Sequence, residues 1–156
     1  IRSSELKLSE NFSLQELLKS QLALRKGINN KPVDSSIITN LQVLCEKVLQ
    51  PLRNYFAKPV VINLGYRCAK LNKAVGSNSK SQHTKGQAAD IEIPSVSNKE
   101  VAEWIEDNVP FDQLILEFYN GVDPSSGWVH VSYIGDSDNR KQTLTINKNG
   151  TFTGFI

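Results

Sequence analysis

The sequence is poor in three residue types that often define a protein class: it has no methionine, two cysteines and two histidines. Two cysteines cannot build a disulfide framework, and we expect Cys45 and Cys68 to be buried thiols rather than partners in a bridge. No apolar run approaches the roughly 20 residues that cross a bilayer, and no signal-peptide pattern opens the chain. Because the chain starts at Ile1 without a methionine, we expect a processed protein or a part of a longer one.

The sequence also lacks any long run of like charge. Its 18 basic and 16 acidic residues are scattered along the chain, so neither a nucleic-acid surface nor a membrane surface is indicated. Charge therefore identifies no partner class. With 156 residues, 39% of them hydrophobic, the chain can bury a core of its own, and we expect one domain over residues 1–156 and a monomer.

Helix signals occur at four places. A capping box at residues 13–16 predicts a short first helix, followed by a loop at residues 27–32. A second, longer helix is predicted by an apolar stripe at spacings of three and four, formed by Leu41, Leu44, Val48 and Leu52. Pro51 interrupts that stripe and is expected to kink the helix or end it near its last turn. A helical turn is predicted at residues 69–75, and a second capping box at residues 97–100 predicts a helix that directs Val101, Trp104 and Ile105 to the core.

Strand signals dominate the second half of the chain. A compact β-branched run at residues 59–63 predicts a buried strand that leads to Gly65, Tyr66 and Arg67, and residues 88–93 form another strand. Residues 114–118 and 128–133 are predicted to pair as a hairpin, and Asn149-Gly150 predicts a second hairpin between residues 142–147 and 151–155. Helices early and strands late, without regular βαβ alternation, favour an α+β fold in which helices pack on a mostly antiparallel sheet.

The two histidines are the first candidates for chemistry. His83 precedes Asp90 with Gly86 between them, so a turn can bring an imidazole and a carboxylate together, while His130 would come from a neighbouring strand. Two imidazoles and one carboxylate form a common catalytic zinc set, because they leave the fourth position for water. Spacing alone is weak evidence, since a lone histidine at a strand edge is more often structural.

The residues around these positions carry a family resemblance. Residues 81–90, SQHTKGQAAD, closely resemble the Ser-x-His-x-x-Gly-x-Ala-x-Asp motif of zinc D-alanyl-D-alanine carboxypeptidases, which share a metallopeptidase group with lysostaphin-type enzymes and the hedgehog signalling domain. Residues 128–133, WVHVSY, resemble the segment with the last ligand, and residues 65–67 resemble a substrate-anchoring Gly-Tyr-Arg. The three motifs occur in the order of the family, and the resemblance covers about residues 12–133.

The resemblance implies a hedgehog/DD-peptidase-like fold and zinc ligated by His83, Asp90 and His130. It also implies a substrate from peptidoglycan stem peptides, cut as a D-alanyl-D-alanine carboxypeptidase or as an L-alanyl-D-glutamate endopeptidase. The short, phage-like form favours a lytic role at the bacterial cell wall, as a phage-encoded, virion-associated or exported enzyme.

Arg67 is the candidate for substrate anchoring. An arginine at a strand end can bind a peptide carboxylate through two parallel hydrogen bonds, which a lysine cannot imitate. The alternative is an arginine in a surface salt bridge.

The general base is the point at which the sequence departs from the better-known members. Those members carry a glutamate three residues before the last histidine, where this chain has Gly127. Glu117 is our candidate, because an acid among apolar strand residues calls for a reason. The alternative is that Glu117 faces solvent from an edge strand. Asp112 and Asp123 are less favoured substitutes, since both occur in turn-like contexts where aspartate commonly caps.

Other cleft candidates have ordinary alternatives. Ser81 can donate to a ligand or to the developing charge of the scissile carbonyl, or it can simply bond loop backbone. Gln113 can line the cleft or can be an ordinary strand-start residue. Trp104 and Trp128 are expected to be core residues more than substrate platforms.

Two other functions remain open from the sequence. The chain can be a catalytically silent, zinc-stabilised binding domain of hedgehog type, for which the missing glutamate at position 127 is the best argument. A metal-free structural domain is the third possibility.

Overall fold

The computed structural model describes residues 6–32 and 34–155. The expectation about the start of the chain at Ile1 lies outside the described residues. The helices are α1 (Leu14–Leu18), α2 (Gln21–Lys26), α3 (Ser35–Leu44), α4 (Gln50–Phe56), α5 (Ala69–Ala74) and α6 (Asn98–Asn108), with a π turn at Cys45–Leu49 and a 3₁₀ turn at Gln82–Lys85. The strands are β1 (Lys7–Ser9), β2 (Phe12–Ser13), β3 (Val61–Leu64), β4 (Ala88–Glu92), β5 (Gln113–Glu117), β6 (Trp128–Ser132), β7 (Gln142–Asn147) and β8 (Gly150–Thr153).

The main sheet has six strands in the order β3-β4-β6-β5-β7-β8. All neighbouring pairs are antiparallel except β5 and β7, which run parallel. Both predicted hairpins, β5 with β6 and β7 with β8, are confirmed. The mixed helix and sheet content with a mostly antiparallel sheet agrees with the predicted α+β class.

The sheet has one apolar face and one polar face. Alternate residues of the central strands are buried in the core together with the helices: Ala89, Ile91, Leu114, Leu116, Val129 and Val131. Since successive side chains of a strand point to opposite faces, the residues between them point away from the core. Asp90, Ile115 and His130 lie on that other face, directly opposite one another in the strand register.

The long helix does not end at Pro51, contrary to one of the two expectations for that residue. α3, the π turn and α4 follow one another without a break as far as Phe56, and Pro51 lies in the first turn of α4. The π turn directly before Pro51 is wider than an α turn and can accommodate a ring that would clash with a regular helix.

The first helical segment is split in two. Ser13 and Glu16 form the predicted capping box, but α1 stops at Leu18, and Ser20 caps a second short helix that ends at left-handed Gly27. At the second predicted capping box, the Ser97 hydroxyl accepts from the Glu100 backbone, so the start of α6 is also confirmed.

The expectation of a buried strand near residue 60 is wrong. β3 is the outermost strand of the sheet on its side, and Val61 is 39% exposed. β-branched residues suit edge strands and central strands equally, so composition did not separate the two cases. Cys45 and Cys68 are buried free thiols, as predicted.

Candidate metal centre

Three separate elements deliver His83, Asp90 and His130 to one point. His83 belongs to the 3₁₀ turn between residues 82 and 85, which Ser81 caps and left-handed Gly86 ends. Asp90 lies on β4 and His130 on β6, at directly opposed positions of the ladder. The predicted convergence is therefore present, with ligand-type atoms of the three side chains within 4.8 Å of one another.

Both imidazoles approach the same carboxylate oxygen. His130 Nδ1 lies 2.9 Å and His83 Nε2 lies 3.4 Å from Asp90 Oδ1. The two rings are nearly perpendicular, with centroids 5.1 Å apart. All three side chains are largely buried, with exposures of 6% for His83, 12% for His130 and 15% for Asp90.

The hydrogen bonding of His83 suits metal ligation. Its Nδ1 lies 2.8 Å from the carbonyl oxygen of Gly65, and because a carbonyl can only accept, Nδ1 carries the proton. In a neutral imidazole the lone pair of Nε2 is then directed at the Asp90 carboxylate, an arrangement that a cation between the two groups stabilises. The donor set, two imidazoles and a carboxylate, fits zinc, which the three residues can hold while a fourth position stays open.

Asp90 is held in its ionised form. Burial acts to raise the pKa of Asp90, but the hydrogen bond from His130 and the adjacent imidazole of His83 outweigh it and keep the pKa well below its usual range. An ionised aspartate beside two imidazoles is the protonation state that a metal ligand needs.

The three residues line a cleft of about 620 Å³ on the polar face of the sheet. Of the other residues predicted for the site, four line the same cleft: Arg67, Ser81, Gln113 and Glu117. Lys80, Lys85 and Arg140 add positive charge to its walls.

Glu117 lies in the sheet interior rather than at an edge, so the alternative of an edge-strand glutamate is wrong. β5 runs between β6 and β7, and Glu117 is half-buried opposite Trp128. Burial and then the charge of Asp90 raise the pKa of Glu117, while His130, the hydrogen bond from Trp128 and His83 act in the opposite direction. A carboxylate with a raised pKa beside the three candidate ligands is suited to accept and release a proton.

Gly127 explains why the carboxylate comes from β5. Its φ is +67°, and a Cβ added there would overlap the carbonyl oxygen of Glu117 and lie 2.5 Å from the carbonyl carbon of Phe118. The backbone between β5 and β6 is therefore too close for a glutamate at position 127. Glu117, on the strand that crowds this position, brings its carboxylate to the same cleft.

Arg67 is fixed by neutral oxygens. Its Nε donates to Asn72 at 2.8 Å, and one terminal nitrogen donates to Ser77 at 3.1 Å and to Ser81 at 3.4 Å. Within residues 6–32 and 34–155 Arg67 has no ion pair, so the alternative of a surface salt bridge is wrong for the described chain. Burial lowers the pKa of Arg67, with Asp90 opposing the shift, and arginine remains charged at neutral pH.

Ser81 and Gln113 have local partners as well as cleft positions. The Ser81 hydroxyl accepts from the His83 backbone and from Arg67, which supports the loop-bonding alternative. The Gln113 side chain donates to Gln142 on β7 at 2.8 Å. Both residues therefore help to shape the cleft.

The two tryptophans differ. Trp104 stacks on Tyr55 on the outside of α4 and α6, packed against the core as predicted and away from the cleft. Trp128 lines the cleft, contrary to the expectation of a core residue, because position 128 lies on the same face of β6 as His130.

Asp112 and Asp123 are engaged elsewhere. Asp112 is fully buried and pairs with Arg140 at 2.7 Å, while Asp123 accepts from Ser125 in an exposed loop. Hydrogen bonds from the Arg140 side chain, against the effect of burial, lower the pKa of Asp112 to about 2. Gln82, next to His83, also donates to Asp112. Neither aspartate lines the cleft.

Two supporting residues were not predicted from the sequence. Arg140 anchors Asp112 and lines the cleft, and buried Asn30 donates to the carbonyls of Leu18 and Tyr66 and accepts from the Cys68 backbone. Asn30 thus holds the turn that carries Arg67. Its position in a predicted loop gave no signal of this role.

No helix among the described residues is long and apolar enough to cross a membrane. No curated protein matches the chain significantly. The profile of one family, described as Peptidase M15, matches residues 10–132, which include the three clustered residues and Glu117. With a match over well above half of its length, the chain belongs to the Peptidase M15 family.

Proposed function

We propose that this chain is a zinc metallopeptidase that hydrolyses peptide bonds in bacterial peptidoglycan stem peptides. The observation that carries the proposal is the convergence of His83, Asp90 and His130 in a cleft that also holds Glu117 and Arg67, and Arg67 makes no ion pair with any described residue. The proposal includes a hedgehog/DD-peptidase-like fold, a single catalytic domain over residues 1–156 and a monomer.

In this proposal the three clustered residues bind zinc. Bound zinc supplies a Lewis acid that polarises a carbonyl and lowers the pKa of water to about 7. Glu117 takes the proton of the attacking water and returns it to the leaving amine, a role supported by its raised pKa and its position in the cleft.

Arg67 orients the substrate through a peptide carboxylate. Its Nε and one terminal nitrogen are engaged by Asn72, Ser77 and Ser81, which hold the guanidinium in one orientation. The remaining donors can bind a carboxylate in the cleft. Lys80 and Lys85 on the cleft walls add attraction for an anionic peptide.

The bond that is cut is either the D-alanyl-D-alanine bond or the bond between L-alanine and D-glutamate. Digestion of defined muropeptides, followed by mass spectrometry, distinguishes them: loss of a terminal alanine identifies the carboxypeptidase, and release of L-alanine-bearing fragments identifies the endopeptidase. Intact peptides after incubation with zinc-loaded protein would contradict both. A lytic, phage-type role at the cell wall is proposed only if one of the two activities is present.

The rival function is a zinc-stabilised binding domain without peptidase activity. The variant Glu117→Ala separates the two, because removal of a general base lowers the rate by about 100-fold or more while zinc is retained. Asp123→Ala is the matched control, since this acid lies in an exposed loop outside the cleft. A wild-type chain that binds muropeptide and zinc, but cleaves no more than Glu117→Ala does, favours the binding domain.

A further inference from the structure

Trp128 lines the cleft and donates a hydrogen bond to the proposed general base. Its indole Nε1–H donates to Glu117 Oε2 at 2.7 Å. Glu117 and Trp128 are directly opposed in the β5–β6 ladder, so the two side chains lie on the same face of the sheet. The bond is short for a nitrogen donor and an oxygen acceptor.

The hydrogen bond from Trp128 engages only one of the two oxygens of the Glu117 carboxylate, Oε2. Among residues 6–32 and 34–155, the indole is the only hydrogen-bond donor to the Glu117 carboxylate. A rigid donor on Oε2 restricts the rotation of the carboxyl group and leaves Oε1 without a hydrogen bond from any described residue. Without that donor the glutamate side chain can adopt several rotamers.

The indole ring is itself held in place. Its ring and that of Phe118 have centroids 5.5 Å apart at an angle of 35°, and Phe118 follows Glu117 directly. Trp128 is two residues before His130 on the same strand face, so the strand that delivers a candidate metal ligand also delivers the donor to the base. The spacing between the proposed base and His130 is thereby set by a single β-ladder.

From this arrangement we infer that Trp128 is a positioning residue, which fixes the Glu117 carboxylate for proton transfer through the indole N–H. The inference rests on the proposed function, since it assumes that Glu117 is the base. A substrate platform and a purely structural ring are the two other roles open to a tryptophan in a cleft.

Trp128→Phe tests the inference, because it keeps an aromatic ring and removes the N–H. Hydrogen bonds to charged groups are strong enough that kcat on the muropeptide substrate is expected to fall about tenfold. KM and zinc content should stay within about twofold of wild type, because neither the metal centre nor the carboxylate anchor is changed. Trp104→Phe is the matched control and should leave all three quantities unchanged.

A double-mutant cycle tests whether Trp128→Phe lowers kcat through Glu117. In the background Glu117→Gln, Trp128→Phe should change the residual rate by less than about twofold, because there is no base left to position. An equal loss in both backgrounds, an unchanged kcat, or a loss confined to KM would overturn the inference. A loss confined to KM would instead identify a substrate platform.

A second readout does not depend on activity. In ¹⁵N-labelled protein, the indole N–H signal of Trp128, assigned with Trp128→Phe, should shift on Glu117→Gln, while the Trp104 signal should not. An unshifted Trp128 signal overturns the inference even if the enzyme is active. If the wild-type protein binds zinc and cleaves no muropeptide, the proposed function fails, and a positioning role for Trp128 fails with it.

Discussion

Asp112 and Glu117 lie five residues apart and have opposite electrostatic surroundings. Asp112 is fully buried and receives hydrogen bonds from Arg140 and Gln82, so its pKa is lowered to about 2. Glu117 has one neutral indole donor, and burial raises its pKa. Asp112 is therefore a fixed structural anion, whereas Glu117 is able to exchange a proton nearer to neutral pH.

Asp112→Asn should destabilise the protein in a pH-dependent way. Because the pKa of Asp112 is lower in the folded state than the ordinary value of about 4, its contribution is complete above pH 4 and is lost as the pH falls toward 2. We predict a loss of about 1–3 kcal/mol in the free energy of unfolding at pH 7, since Asp112 is buried but solvent screens the half-exposed Arg140. Urea titrations at steps from pH 7 to pH 2 measure it.

The difference in unfolding free energy between the wild-type protein and Asp112→Asn should disappear near pH 2. The exposed residue Asp107 on α6 supplies the control, and Asp107→Asn should have little effect at any pH. A difference that stays constant between pH 7 and pH 2 would show that the charge of Asp112 is not what stabilises the fold.

Gly127→Ala should be more costly than the same change at another left-handed glycine. Gly127 has no room for a Cβ, so we predict a loss of about 3 kcal/mol or more in unfolding free energy. Gly121 has a similar φ of +77° and open space around it, so Gly121→Ala should lose only about 1 kcal/mol. Thermal melting compares the two variants, and equal losses would mean that the β5–β6 connection is looser than described.

The residues of the sequence motifs could be predicted from the sequence, but the residues that hold them in place could not. The spacing of His83 and Asp90 in a familiar motif predicted that they would meet His130, and their ligand atoms do lie within 4.8 Å; their role as ligands stays a prediction. Arg140 and Asn30 reach partners 28 and 36 residues away in the chain, and no local pattern encodes such contacts.

At the scale of the elements, the turn after β3 is the junction on which the site depends. The Tyr66 backbone donates to the Leu17 carbonyl, and the Arg67 backbone donates to the His83 carbonyl. Buried Asn30 adds three hydrogen bonds to backbone groups of the same region. Helix α1, the turn after β3 and the 3₁₀ turn that carries His83 are therefore held together by backbone hydrogen bonds.

Asn30→Ala should weaken this junction, because three backbone groups, two of them in buried hydrogen bonds, lose their partners. We predict a loss of about 2–4 kcal/mol in unfolding free energy, together with a higher KM caused by a less ordered Arg67. The neighbouring Asn29 is exposed, and within the described part of the chain its side chain accepts only from the Lys31 backbone, so Asn29→Ala is the control. Urea unfolding and steady-state kinetics measure both effects, and an Asn30→Ala protein as stable as Asn29→Ala would contradict the role of the junction.

The sequence predicted which segments are helices and strands better than it predicted where these elements end and which strands pair. Capping boxes and the Asn149-Gly150 turn are local signals, and the helices and hairpins that they predicted are present. The edge position of β3 depends on which strands pair with it. The continuation of the helix past Pro51 depends on a π turn. Neither the edge position nor the continuation can be predicted from a short stretch of sequence.

In the molecule as a whole, one face of the sheet belongs to the hydrophobic core and the opposite face carries the candidate site. Its inner face packs with the helices in one core cluster, and its outer face carries the cleft. The three clustered residues come from a 3₁₀ turn and from two neighbouring strands of the sheet. A metal held by all three therefore links parts of the chain up to 47 positions apart, His83 and His130, and should stabilise the folded state.

Removal of zinc should lower the melting temperature. If free zinc is about 1,000 times its dissociation constant, binding adds about 4 kcal/mol, which corresponds to roughly 10 °C for a chain of this size. Differential scanning calorimetry with and without a chelator measures the shift, and His83→Ala should melt at the same temperature in both conditions. A wild-type melting temperature that does not respond to chelation would support the metal-free structural domain.

The most direct test of the account is the zinc content of the purified chain, measured by elemental analysis after dialysis. We predict one zinc per wild-type chain, and none in His83→Ala, Asp90→Ala or His130→Ala, each of which removes one of the three proposed ligands. A wild-type chain without stoichiometric zinc after zinc loading, or the same zinc content in the three variants, would contradict a metal centre at these residues.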